Sequence, residues 1–147
     1  PVHIAHVSAK RTVDIIAWGK SRGVKVTAET TPHYLTLDDT AVNGYNTLAK
    51  VNPPLRTPAD VAAMREAVKT GVIDMLATDH APHSAEEKSR GLAASAMGVV
   101  GLETSLHEYS VSNGNKLKPD KLFAKRRIFG ICDFCILEAD VFYVVLL

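Results

Sequence analysis

Residues 2–30 read VHIAHVSAKRTVDIIAWGKSRGVKVTAET, and this stretch decides the fold. Two short β-branched runs, residues 2–7 and 24–30, flank a segment whose apolar residues recur every three or four positions, as on one face of a helix. A third apolar run follows at residues 73–78. Strands separated by helical segments run parallel, because the crossover returns the chain to the same end of the sheet. The pattern therefore predicts an α/β fold with parallel strands.

Capping residues and glycines mark the predicted helix ends. Ser8 is predicted to cap a first helix, which ends where Gly23 follows. Thr57 and Asp60 have the spacing of a capping box, with a proline at the first helical position. They predict a second helix, which ends before Gly71.

The character of the sequence changes near residue 110. We predict a loop over residues 79–100 and a helix over residues 101–109, which complete the α/β unit of residues 1–110. Residues 111–147 contain a basic cluster and then an apolar stretch with poor periodicity. We therefore treat residues 111–147 as a divergent tail of uncertain fold.

The composition of the 147 residues, 46% hydrophobic and 22% charged, is typical of one globular domain. Seventeen basic residues balance sixteen acidic ones, so no nucleic-acid or membrane partner is expected, and the cluster at 116–127 is interpreted as a solvated face. Cys132 and Cys135 are interpreted as core residues, because no second cysteine pair accompanies them. Without a disulfide framework, a leader or a long apolar run, the protein is expected to be cytoplasmic.

Polar side chains follow each of the three predicted strands. His6 closes the first strand, His33 follows the second, and Asp79 follows the third. Taken singly, such a histidine is more often structural, but the carboxyl ends of parallel strands share one edge, where α/β folds build their sites. Imidazole and carboxylate are ligands of zinc, and a carboxylate there can also carry a proton. The pattern makes a metal-dependent hydrolase one candidate and leaves structural roles for these residues open.

Five motifs in order resemble those of the dihydroorotases, which belong to the amidohydrolase superfamily. They are HVS at 6–8, TPHYL at 31–35, NPPLR at 52–56, ATDHAPH at 77–83 and GVVGLET at 98–104. The resemblance implies a partial (β/α)8 TIM barrel, made of about the last three strands with their helices; a whole barrel usually has about 250 residues. We therefore expect a C-terminal fragment whose outer strands have open edges.

The resemblance also implies an activity and a site. The activity is the zinc-dependent, reversible hydrolysis of (S)-dihydroorotate to N-carbamoyl-L-aspartate in de novo pyrimidine biosynthesis, with one or two zinc ions. His6 and Asp79 match metal ligands, and Asp79 also matches the catalytic acid and base. The matches to substrate-binding positions are Asn52, His83, Met97 and Gly98. His33 is expected to support the ligands without binding the metal or to be structural, and His80 is expected to orient its neighbours.

Two other functions remain open. One is a non-catalytic, dihydroorotase-like scaffold subunit of aspartate transcarbamoylase, although the presence of His6 and Asp79 argues against it. The other is an allantoinase or hydantoinase type of amidohydrolase. Besides a small-molecule substrate, the resemblance raises a homodimer or association with aspartate transcarbamoylase. The family's His-x-His-x-Arg motif is not in these residues, so we expect the chain alone to bind metal weakly and to show no detectable turnover.

Overall fold

The computed structural model describes residues 1–102, 128–129 and 142–145, and within them five strands form one parallel sheet. The strands are β1 (Val2–Ala5), β2 (Val26–Thr30), β3 (Met75–Ala77), β4 (Ile128–Phe129) and β5 (Phe142–Val145). Their order in the sheet is β4-β3-β2-β1-β5, and every pairing is parallel. The predicted α/β class with parallel strands is confirmed.

The helices lie in the connections between the first three strands and after the third. They are α1 (Lys10–Ser21), α2 (Pro32–Thr36), α3 (Pro58–Thr70), α4 (Ala85–Lys88) and α5 (Gly91–Ala94), with 3-10 segments at Asp39–Tyr45 and Thr47–Ala49. The expected loop over residues 79–100 thus contains α4 and α5, each about one turn long and too short to show a helical period. The predicted helix at 101–109 lies outside the described residues beyond residue 102, as do the basic cluster and both cysteines.

The expectation that β1 and β3 have open edges was wrong; β4 and β5 are the outer strands of the sheet in the described residues. β5 pairs with β1 from Val2 opposite Phe142 to Ala5 opposite Val145. β4 pairs with β3 in the same parallel sense. These added strands give partners to backbone groups that an edge leaves unpaired. Both belong to residues 111–147, so parts of the predicted tail extend the sheet of the first part.

The core lies where the helices pack on the sheet. α1 contributes Val13 and Ile16, and α3 contributes Met64 and Ala67, all of them buried. They belong to one cluster with Ala28 and Leu76 of the strands. Within the described part, no helix is long and apolar enough to cross a membrane. This core fixes the strands and leaves their carboxyl ends to carry polar side chains.

Helix caps follow the sequence prediction in α3 but not in α1. Thr57 and Asp60 form the predicted capping box, and Gly71 ends α3 with a φ of 77°. The prediction that Ser8 caps α1 was wrong, because α1 begins at Lys10 and its capping position makes no side-chain hydrogen bond. Instead, the Lys10 N–H donates to Oδ1 of Asp60, at 2.8 Å. One carboxylate of α3 therefore serves the first turns of two helices.

We expect Asp60→Ala to lower the free energy of unfolding by about 2 kcal/mol, roughly twice the loss of one cap. The carboxylate accepts hydrogen bonds from Thr57 N at 3.1 Å, from Thr57 Oγ1 at 2.6 Å and from Lys10 N at 2.8 Å. Urea unfolding at pH 7 measures the change. Glu66→Ala is the matched control, because it removes an exposed carboxylate of the same helix. Equal losses in the two variants would contradict the shared cap.

We also expect the loss of stability in Asp60→Ala to depend on pH. Burial acts to raise the pKa of Asp60, but hydrogen bonds from Thr57 and Lys10 outweigh it and lower the pKa below its usual value. A carboxyl with a lowered pKa stabilises the fold above its unfolded pKa of about 3.9, and the stabilisation is lost as the pH falls through the folded value. The difference in stability between wild type and Asp60→Ala should therefore be largest at neutral pH and shrink by pH 3.

Candidate active site

His6 and Asp79, the two predicted metal ligands, share an unusual backbone conformation. His6 directly follows β1 with a φ of 52°, and Asp79 lies two residues beyond β3 with a φ of 43°. Residues other than glycine rarely adopt positive φ, which costs on the order of 1 kcal/mol or more and is concentrated at functional sites. Among the described residues only Tyr45, in an exposed 3-10 segment, shares this feature. The strain at both strand ends supports a functional role.

Glu29 of β2 lies between His3 of β1 and His6, which follows β1, and sequence reasoning missed it. One carboxylate oxygen is 3.3 Å from His3 Nε2, and the other is 3.2 Å from His6 Nδ1. His3 Nδ1 also lies 2.8 Å from Thr27 Oγ1. Burial acts to raise the pKa of Glu29, but the two histidines outweigh it and hold that pKa at about 2. Glu29 is therefore an anion in the neutral pH range.

The carboxylate of Glu29 also sets which nitrogen of His6 is available. The pairing with Glu29 raises the pKa of His6, burial opposes this, and the charge of Asp79 adds to the rise. Nδ1 lies within ion-pair distance of Glu29 but makes no hydrogen bond within the described residues, so Nε2 is the nitrogen that faces away from Glu29 and is left for another partner. Metal-binding histidines commonly have this arrangement, in which a carboxylate faces the ring nitrogen that does not bind the metal.

Asp79 faces His33, and His33 is one of the residues that line a cavity. His33 Nε2 lies 3.8 Å from Asp79 Oδ2, and neither nitrogen of this buried ring has a hydrogen-bond partner in the described part of the chain. Burial, and then the charge of His6, lower the pKa of His33 to about 3, so the ring is neutral at pH 7. Burial also raises the pKa of Asp79; the charge of His6 opposes this and that of Glu29 adds to it. A raised pKa suits a carboxyl that both takes and returns a proton.

The structure brings most of the predicted substrate-binding residues together. His83 Nε2 lies 3.0 Å from the carbonyl oxygen of Met97, and the N–H of Gly98 donates to the carbonyl oxygen of Lys50, at 2.9 Å. Asn52, two residues beyond Lys50, is exposed. These contacts adjoin a cavity of about 470 Å³, whose walls include His33, His83 and Gly98. The cavity therefore connects the predicted substrate residues with the neighbour of Asp79.

Gly98 lies where no side chain fits. Its φ is 144°, and a Cβ there would lie 2.6 Å from both Cβ and the carbonyl oxygen of Ala81. We expect Gly98→Ala to lower the free energy of unfolding by about 2–3 kcal/mol, because backbone strain and overpacking add. Gly44→Ala is the matched control, since Gly44 also has a positive φ but open space around it, and should cost about 1 kcal/mol. Thermal unfolding of both variants compares them; equal losses would contradict the close packing.

His80 joins the two loops of the site, as the sequence interpretation of an orienting residue expected. Its Nδ1 accepts hydrogen bonds from the backbone N–H groups of Gly101 and Leu102, both at 3.2 Å. Ala81 N also donates to the carbonyl oxygen of Val99, at 3.0 Å. Hydrogen bonds therefore hold the segment after Gly98 against the residues that follow β3.

The donors fit part of a zinc site. His6 Nε2 and the Asp79 carboxylate have the chemistry that zinc prefers, and Glu29 supports His6 from behind. A catalytic zinc site uses about three protein ligands. No group of three or more histidine, cysteine or acidic side chains in residues 1–102 has the arrangement to hold an ion. Among the described residues, two side chains thus have zinc-binding chemistry, which is less than a whole site requires.

Comparison with known proteins agrees with this geometry. No protein-family model matches the chain. The dihydroorotase of Streptomyces coelicolor is 59% identical over 105 residues, which are 71% of this chain and 24% of the relative. That of Geobacter metallireducens is 59% identical over 106 residues, 72% of this chain and 25% of the relative. This chain is homologous to part of the dihydroorotases. It spans about a quarter of the length of these curated relatives.

Solved structures give the same superfamily. The L-hydantoinase (dihydropyrimidinase) of Arthrobacter aurescens superposes with a TM-score of 0.70 and 30% identity, over 82% of this chain and 28% of that one. The D-hydantoinase (dihydropyrimidinase) of a Thermus species superposes with a TM-score of 0.68 and 26% identity. The superposition covers 79% of this chain and 27% of that one. The resemblance stated from the sequence is confirmed, and the homologues of this dihydroorotase-like chain are cyclic amidohydrolases.

Proposed function

We propose that the chain forms the Asp79-bearing part of a zinc-dependent dihydroorotase. The observation that carries the proposal is that Asp79, whose pKa is raised, and His6, which lies beside Glu29, follow β3 and β1 at the carboxyl ends of one parallel sheet, in a segment 59% identical to dihydroorotases. The proposed reaction is the reversible hydrolysis of (S)-dihydroorotate to N-carbamoyl-L-aspartate, a step of pyrimidine biosynthesis. The proposed fold of the whole protein is a (β/α)8 barrel, of which β1, β2 and β3 are the last three strands.

Each of these side chains has a place in that reaction. His6 Nε2 and Asp79 would hold zinc, which when bound polarises the ring amide carbonyl. Asp79 takes the proton of the attacking water as the bond to the carbonyl carbon forms, and returns it to the ring nitrogen as the carbon–nitrogen bond breaks. His83, Asn52 and the Met97–Gly98 backbone orient the ring, so that the carbonyl faces the water.

The resemblance adds the expectation of one or two zinc ions and of association with a second copy or with aspartate transcarbamoylase. The cytoplasmic location is a prediction from the composition of the sequence. A hydantoinase type of activity has one observation in its favour, the superposition on hydantoinases. The higher identity to dihydroorotases favours a ring that bears a carboxylate, as dihydroorotate does.

A chimera tests the function directly. The 105 matched residues replace their counterparts in the Streptomyces coelicolor dihydroorotase, which supplies the rest of the protein. We expect the chimera to hydrolyse dihydroorotate faster than hydantoin, dihydrouracil or allantoin, and the chain alone to show no detectable turnover. A folded, zinc-loaded chimera without hydrolysis of any of these rings would contradict the proposal. Preference for hydantoin would favour the hydantoinase type.

A further inference from the structure

Lys88, at the end of α4, is a buried cation beside the cavity. Only 6% of the residue is exposed. Its Nζ donates to the carbonyl oxygens of Thr47 at 3.1 Å, Lys50 at 3.3 Å and Ala96 at 3.1 Å. An ammonium has three N–H groups, so three carbonyls use all of them. Lys88 therefore has no N–H left with which to contact a ligand, although its charge remains.

A second ammonium lies close to the first. Lys50 Nζ donates to the carbonyl oxygens of Ala93 at 3.2 Å and Ser95 at 2.7 Å. Burial, and then the charge of Lys50, lower the pKa of Lys88. Among the described residues neither lysine forms an ion pair with a carboxylate. Two neighbouring positive charges therefore lack a negative partner in this part of the chain.

The cavity wall makes this charge effective. Lys88 itself lines the cavity, together with His33 and His83. Most of the remaining lining residues are apolar and include Leu37, Leu48 and Val100. No acidic residue is among the described residues that line the cavity, and a cleft lined by one sign of charge favours ligands of the other.

We propose that Lys88 and Lys50 make this cavity selective for cyclic amides that carry a negative charge, through their field rather than by contact. The inference rests on the proposed function and specifies its substrate class. A ring bearing a carboxylate is stabilised by the two ammonium groups, whereas an uncharged ring of the hydantoin or dihydropyrimidine kind gains nothing from them. Lys88 and Lys50 thus determine specificity without belonging to the catalytic residues.

The test compares dihydroorotate with its uncharged methyl ester, by titration calorimetry and ligand-detected NMR on the full 147-residue chain with zinc supplied. We expect wild type to bind dihydroorotate more tightly than the ester. Lys88→Met should lower the affinity for dihydroorotate by roughly five- to twentyfold, the effect of one charge at about 10 Å in a medium of intermediate dielectric constant, and leave the ester unchanged. Lys88→Arg keeps the charge and should retain most of the preference.

Two further variants serve as controls. Lys50→Met removes the less buried ammonium, and should lower the preference even if Lys88→Met fails to fold. Lys69→Met removes an exposed charge at the end of α3 and should change neither affinity. Equal binding of acid and ester by wild type, absence of binding of both, or equal loss of both in the Lys88 and Lys50 variants would overturn the inference. Charge-selective binding with an inactive chimera would instead overturn the proposed function alone.

Discussion

Asp79→Asn is expected to lower kcat for dihydroorotate hydrolysis in the chimera by at least about a thousandfold. Asparagine keeps the shape of aspartate but neither takes a proton nor gives one back, and general acid–base catalysis alone contributes about a hundred- to ten-thousandfold. The same change weakens a proposed zinc ligand, because a neutral amide is a poorer donor than a carboxylate. Steady-state kinetics with the zinc content of each preparation measured separates the two losses.

The control for this prediction is Asp39→Asn. Asp39 is exposed in the first 3-10 segment, and its hydrogen bond to the carbonyl oxygen of Arg56 uses only the backbone N–H. It should leave kcat within about twofold of wild type, as surface substitutions usually do. An Asp79→Asn chimera that stays folded, keeps its zinc and retains a tenth or more of the activity would show that another group moves the proton.

The parts of the fold that were predictable are those encoded locally. Parallel strands follow from apolar runs separated by a helical period, and the α3 cap follows from Thr57 and Asp60 three positions apart. Gly71 ends that helix because the required left-handed conformation suits glycine. Each of these features depends on residues within a few positions of one another, so the sequence alone contains the whole cause.

The parts that could not be predicted depend on contacts between distant segments. Asp60 caps α1 only because α1 and α3 pack side by side, fifty residues apart in sequence. β4 and β5 add to the sheet from a stretch with poor periodicity, where pairing partners rather than local pattern decide the strand. β4 has only two residues, which is too few to show the alternation of apolar and polar residues that indicates a strand.

The residues of the candidate site also divide into those that the sequence predicted and those that it did not. His6 and Asp79 were found because strand ends and motif order mark them, and the structure gives both a strained backbone. Glu29 looks like an ordinary charged residue in a β-strand. Only the parallel register, with His3 opposite Thr27 and Ile4 opposite Ala28, brings its carboxylate between two histidines. Lys88 was missed for the same reason, since its three acceptors come from two other loops.

Glu29→Gln is the substitution with the second-largest expected effect, a ten- to hundredfold loss of zinc affinity. The carboxylate lies 3.2 Å from His6 Nδ1, and we expect its negative charge to orient the ring and to make Nε2 a better donor. Glutamine keeps the size and one acceptor but removes the charge, so the ring loses its orientation and part of its basicity. Competition with a chromophoric chelator at constant pH measures zinc affinity in the chain, where binding is expected to be weak, and in the chimera.

The control must separate metal binding from stability, because Glu29 also pairs with the buried His3. Glu66→Gln removes the same charge from an exposed side chain of α3, whereas both histidines pair with Glu29, and it should change neither quantity. Thermal unfolding without zinc reports the structural cost of Glu29→Gln by itself. If that variant unfolds earlier but binds zinc as tightly as wild type, Glu29 serves the packing of β1 on β2 and not the metal. A loss of zinc affinity larger than the loss of stability accounts for identifies Glu29 as the residue that positions His6.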